Sequence, residues 1–273
     1  MRLGKVLAFL ILLLLPATAL ATFPIDWNWN SIGGGWDCQS RPRCATGGHV
    51  GECFAVEYTA GTPDPSYALK FTYPLGYTPG GDPAACWNNF GSPKNEIYGQ
   101  FYFKFSPDYT WNPVQNKMVI IQIGPGAQGA GDIIAVQRSS HKMTFQTQYA
   151  ETVNYYANTP GYDPEIVSGQ WYKITWRQVI NTPGVANGIL QMWINDTLSH
   201  NYNTVQYRRS TEGSLAFYEW SLMPIYGGII GPPKPKEEYF WIDRTIMQAT
   251  PIDSGKSLPA NKVPMVPTDL NIK

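Results

Sequence analysis

Apolar and polar residues alternate with a period of two through most of the middle of the chain. In residues 171–198, Tyr172, Ile174, Trp176 and Ile180 share one face and Lys173, Thr175 and Arg177 the other. That spacing belongs to a half-buried strand, not a helix. Asn181-Thr182-Pro183-Gly184 and Asn187-Gly188 then supply the positive-φ and fixed-φ positions that a reversal needs. A second strand sets Leu190, Met192 and Ile194 against Gln191 and Trp193, and Asn195-Asp196 falls where a two-residue hairpin turn is expected. The pattern recurs in residues 97–105, where Phe101, Phe103 and Phe105 oppose Tyr98, Gln100, Tyr102 and Lys104. It recurs again in 143–149, where Thr144, Gln146 and Gln148 oppose Met143, Phe145 and Tyr149. Residues 118–123 are almost continuously apolar, as in a central strand covered on both sides, with Gln122 the polar exception. Runs at 67–73, 133–138, 202–208, 215–222 and 239–248 bring the total to about ten strands, enough for two packed antiparallel sheets. No helix of consequence and no internal repeat is expected.

The ends read differently. Arg2 and Lys5 precede an apolar run at 6–15, and Ala19-Leu20-Ala21 makes a small-residue cleavage site, so residues 1–21 are expected to be a signal peptide. The run is too short to span a bilayer comfortably. The predicted organisation is therefore a leader (1–21), one β-sandwich domain (22–250) and a Pro-rich linker or tail (251–273). Such a chain would be secreted, or periplasmic, with no membrane partner after cleavage. Without the leader, eighteen basic residues face twenty acidic ones, a formal charge of −2. That balance gives no electrostatic case for nucleic acid. Cys38, Cys44, Cys53 and Cys86 all lie in the first third of the chain. An even count in an exported protein implies two disulfides, expected as Cys38–Cys44 and Cys53–Cys86; a metal site is disfavoured by the lack of a CxxC pair, with only His49 nearby.

The segment 170–195 (QWYKI, NTPG, NGIL and WIND) resembles secreted proteins of the concanavalin A-like lectin/glucanase superfamily, closest to jelly-roll polysaccharide lyases of the glucuronan and alginate type. Residues 96–123, 224–228 (PIYGG) and 239–243 (YFWID) carry the same resemblance. Asp196 stands where these proteins usually have glycine, which the left-handed region tolerates. The resemblance implies a jelly-roll sandwich whose hollow face holds a sugar chain. It also implies Ca2+ on the other side, held by Asp243 with acidic or carbonyl groups around Asp26.

Sugar rings need flat apolar surfaces for their CH faces, and amides and hydroxyls for their OH groups. Tyr98, Gln100, Tyr102, Gln146, Gln148, Gln191 and Trp193 have that character and are the candidate carbohydrate-binding set. Hydrolysis needs two carboxylates in reach of one bond. The E-x-D-x-E strand motif of the superfamily's β-glucanases is absent, and Glu96, Glu151, Glu212 and Glu219 are scattered. Uronate β-elimination needs a group to neutralise the sugar carboxylate, a base, and an acid for the leaving oxygen. Gln122 resembles the Gln of the Q-I/V-H strand of alginate lyases, but Gly124 replaces its His. The base would then be His49, His141, or Tyr149 or Tyr207 with a pKa lowered by a nearby Arg, and Arg138, Arg208 or Arg209 would neutralise the carboxylate. The expected function is recognition of an extracellular polysaccharide, with β-elimination of a uronate glycan as the leading chemistry. A non-catalytic binding module is the alternative; a glycoside hydrolase or an exported structural protein comes third. Asn195-Asp196-Thr197 is an N-glycosylation sequon.

Overall fold

The computed structural model describes residues 23–32, 35–59, 62, 67–124, 131–137, 140–150 and 152–252. The expected leader, nearly all of the tail, Arg138 and Glu151 lie outside them. Fifteen strands follow in chain order: β1 (Ile25–Trp27), β2 (Asp37–Ser40), β3 (Phe54–Tyr58), β4 (Tyr67–Tyr73), β5 (Ala84–Lys94), β6 (Glu96–Phe105), β7 (Gln115–Ile123) and β8 (Gly131–Gln137), then β9 (Met143–Thr147), β10 (Val153–Tyr155), β11 (Tyr172–Val179), β12 (Gly188–Ile194), β13 (Thr197–Val205), β14 (Phe217–Leu222) and β15 (Glu238–Gln248). One short 3-10 segment, Pro42–Gly48, joins β2 to β3.

The strands form two antiparallel sheets, a jelly-roll β-sandwich. The eight-stranded sheet runs β13-β12-β11-β6-β15-β4-β3, with β1 also on β15. The seven-stranded sheet runs β10-β9-β8-β7-β14-β5-β2. Alternation built this arrangement as expected. Phe101, Phe103, Phe105, Trp176 and Phe240 point inward from the first sheet to meet Ile121, Ile123, Phe145, Phe217 and Trp220 from the second. The β12–β13 turn is the predicted one: Asn195 and Asp196 both take positive φ, 47° and 67°. Gly99 lies opposite Trp176, whose ring covers it so closely that a Cβ there would sit 2.1 Å from a ring carbon.

β5 is the one long strand that the apolar pattern misses, since Asn88, Asn89, Gly91 and Pro93 interrupt it. It decides the disulfides. β2 pairs with β5 and sets Cys38 directly opposite Cys86. The bonds are therefore Cys38–Cys86 and Cys44–Cys53, not the expected Cys38–Cys44 and Cys53–Cys86. Neighbours in sequence lost to neighbours across a ladder.

Candidate carbohydrate-binding face

The sandwich has two outer faces, and the predicted sugar-binding residues are divided between them. Tyr98, Gln100 and Tyr102 on β6 and Gln191 and Trp193 on β12 belong to the eight-stranded sheet. Gln146 on β9, with Gln148 just beyond it, and Gln122 on β7 belong to the seven-stranded sheet. The expectation of one shared trough is therefore corrected: the same alternation that puts these residues outward puts them on opposite sides of the molecule.

On the eight-stranded sheet the polar groups satisfy one another. The Tyr98 hydroxyl and the Arg177 guanidinium both donate to Glu96, at 2.7 and 2.9 Å. Arg177 also donates to Gln191, which in turn donates to Asn201. Thr175 donates to Gln100, Lys173 pairs with Asp196, and Glu57 accepts from Trp241 while pairing with Lys70. Lys104 lies between the rings of Trp171 and Trp241, at 5.0 and 4.7 Å. This face is closed by its own ion pairs and rings.

The seven-stranded sheet is different. Ladder register places Trp87, Ser221, Ile120, Ile133, Gln146 and Asn154 in one row across six strands, about 24 Å at the usual strand spacing. The next row holds Asn89, Glu219, Gln122 and Gly131. The strict period of two points both rows away from the core, because Trp220 and Ile121 between them are core residues; Ser221, Ile120, Ile133 and Gln146 are nonetheless buried, and Ile120 and Ile133 pack with Met223 and Ile225. Gln148 donates to Gln146 at 2.6 Å and Gln146 to Asn154 at 2.7 Å, an amide chain running toward the sheet edge. Gly131 places no side chain beside Gln122, and the Ile120 side chain fills that space: a Cβ there would lie 2.7 Å from it. The half-buried Gln122 amide has no hydrogen-bond partner among the described residues.

Glu219, directly opposite Gln122, is the residue that sequence reasoning passed over as scattered. Its carboxylate accepts a hydrogen bond from Ser221 at 2.9 Å. Burial pushes its pKa up, and the Ser221 bond offsets part of the rise. Nothing in the chain around Glu219 marks it; only the β7–β14 register does.

The other predicted catalytic residues do not converge here. Tyr207 is corrected: it is fully buried in the core against Phe217, donates to the Ile189 carbonyl at 2.8 Å, and burial raises its pKa rather than an Arg lowering it. His141 follows the far end of β8, while Gln122 pairs with the first residue of that strand. There it stacks on Trp111 and contacts Glu165 at 3.1 Å. Tyr149 follows β9 and packs its ring on the core. Arg208 is taken up by the carbonyls of Asn181, Gly213 and Leu215, and Arg209 by that of Ala150. His49 faces Glu237 at 3.6 Å. Its ring nitrogens lie within 4.8 Å of both Cys44 and Cys53, whose sulfurs are joined to each other and so offer no thiolate to a metal. Gly124 has φ 87° and a Cβ would meet the Leu215 side chain at 2.8 Å, so a side chain there would be strained and Leu215 would have to move.

The expected Ca2+ set is not supported. The carboxylate of Asp26 receives the Arg244 guanidinium at 2.7 and 3.0 Å, and Asp243 Oδ1 accepts the Arg244 backbone N–H. A cation there would compete for Asp26 with a guanidinium already in place.

The fold is a jelly-roll β-sandwich, one that solved polysaccharide lyases share. Solved structures with this fold include the endo-β-1,4-glucuronan lyase of the fungus Trichoderma reesei, with 16% identity over 84% of this chain and 95% of that one (TM-score 0.57). An alginate lyase from Chlorella virus shares 18% identity over 80% and 94% of the two chains (TM-score 0.54). The marine alginate lyase from Aplysia kurodai shares 12% over 72% and 87% (TM-score 0.55). At such identities the likeness is one of fold. No model of a protein family matches the sequence, and no curated protein does.

Proposed function

We propose that this is an exported protein that recognises a uronate-containing polysaccharide on the outer face of the seven-stranded sheet, with β-elimination as its chemistry. The observation that carries the reading is the Gln122 amide, which has no hydrogen-bond partner among the described residues and is set in a row with Glu219 and beside the Gln148–Gln146–Asn154 chain. A half-buried amide with free hydrogen-bonding capacity toward the described residues, next to the buried Ile120 and Ile133, suits a ligand's carboxylate and hydroxyls. The jelly-roll fold of glucuronan and alginate lyases supports the substrate class, and the two disulfides and the lack, among the described residues, of a helix long and apolar enough to cross a membrane fit export.

A second reading, glycan binding without elimination, is favoured by Gly124, which supplies no side chain where the expected base would stand. One experiment separates the two. The protein is incubated with polyglucuronate and with alginate while the ultraviolet absorbance of unsaturated uronate is followed. A steady rise that Gln122→Ala reduces by at least a hundredfold supports elimination, as loss of an electrostatic stabiliser should. Retention on immobilised polyuronate without that rise leaves binding alone, and the absence of both overturns the assignment of this face.

A further inference from the structure

Ten acidic side chains of the described residues form ion pairs: Asp26, Glu57, Asp82, Glu96, Asp163, Glu165, Asp196, Glu212, Glu237 and Glu238. Glu219 does not. It is half-buried on the outer face of β14, with a serine hydroxyl as its hydrogen-bond donor. The groups facing it are uncharged: Gln122 and Ile120 from β7, Asn89 and Trp87 from β5, Ser221 from its own strand. Arg41 lies over the Trp87 ring but pairs with Asp82. Asp37 is one strand further out, opposite Trp87. Lys117 is five residues from Gln122 along β7, about 16 Å in an extended strand.

A carboxyl in that position has opposite effects in its two protonation states. Side chains directly across an antiparallel ladder have Cβ atoms about 5 Å apart, so a uronate carboxylate accepting from the Gln122 amide must lie next to Glu219. Ionised, Glu219 repels it, and none of the described residues facing it is a cation. Protonated, it adds an O–H donor to the amide's N–H donors, and a charge-assisted O–H···O⁻ bond is among the strong ones. Burial, which disfavours the ionised form, brings this change toward neutral pH.

Resting on the reading of this face as a uronate site, we propose that Glu219 is its specificity-determining residue: it admits a sugar carboxylate beside Gln122 only when protonated, and so makes recognition of acidic polysaccharide switchable by pH. The ionised form instead favours neutral chains, whose hydroxyls donate to a carboxylate.

The test is the affinity of the full-length protein for soluble polyglucuronate, and for the same polymer with its carboxyls reduced, between about pH 5 and pH 8, a range in which the polyuronate itself stays ionised. Wild-type affinity for polyglucuronate should fall about tenfold per pH unit above the pKa of Glu219, and affinity for the reduced polymer should not fall. Glu219→Gln should bind polyglucuronate at every pH at least as tightly as wild type does at the acid end of its own profile, with a flat profile. An unchanged profile in Glu219→Gln, or uniformly weaker binding, overturns the inference and leaves the uronate site standing. Failure of both proteins to bind polyglucuronate at any pH overturns the reading of the face itself. If Glu219→Gln does not fold, the two polymers still decide: the same pH dependence for both overturns the proposal, and dependence for the charged polymer alone supports it.

Discussion

Gln122 and Asp132 sit on adjacent strands one register step apart, and face opposite environments. Gln122 points out, while Asp132 points into the sandwich, fully buried, where its Oδ2 accepts from Gln178 at 2.7 Å and its Oδ1 has no partner. Burial holds the Asp132 pKa well above the carboxylate range, so the folded state keeps a proton that the unfolded chain releases near pH 4. A raised carboxyl pKa stabilises the fold only below the unfolded value, and that contribution is lost as pH rises toward the folded one. Asp132→Asn removes this dependence. Its urea unfolding free energy relative to wild type should therefore grow with pH above about 4, by up to ~1.4 kcal/mol per unit. Parallel pH profiles for the two proteins would show that Asp132 is ionised in the core.

At the scale of the element, close packing at single positions sets the sheet. Gly99 on β6 gives its space to the Trp176 ring of β11, which also meets Phe101 and Trp220 edge-on. Gly99→Ala should destabilise the fold by about 1–3 kcal/mol through overpacking, read as a lower urea midpoint. An unaltered midpoint would mean that the tryptophan has room to move. The β2–β5 ladder is held by Cys38–Cys86, whose closed loop is longer than that of Cys44–Cys53: 48 residues of separation against 9. Replacing the first pair by serine should therefore cost more stability than replacing the second, by about 1.5 kcal/mol on chain entropy alone. Equal losses in thermal unfolding would point to native-state contacts instead.

At the scale of the molecule, the two outer faces separate what the protein needs for itself from what it presents. Gln191 and Gln146 are each bonded on both sides, but Gln191 sits in an ion-pair network with Arg177, whereas Gln146 joins a chain of uncharged amides, Gln148 to Asn154, beside the Gln122 row. Gln146→Ala should weaken retention on polyuronate by about tenfold, the worth of one charge-assisted bond, and Gln191→Ala should leave it within twofold. The reverse result would move the glycan to the eight-stranded sheet. How much of this was legible follows from range. Alternation at Tyr172–Trp176 or Phe101–Phe105 is local, so the strands, their inward faces, the β12–β13 turn and the two-sheet class could be read from residue order alone. Gln122 stood out for the same reason, a polar residue inside an apolar run. Strand order and register are set by contacts far apart in the chain, and one residue's parity does not say which sheet it belongs to. Only the folded structure could therefore divide Gln100 from Gln146, join Cys38 to Cys86, bury Tyr207, and bring Glu219 to the side of Gln122.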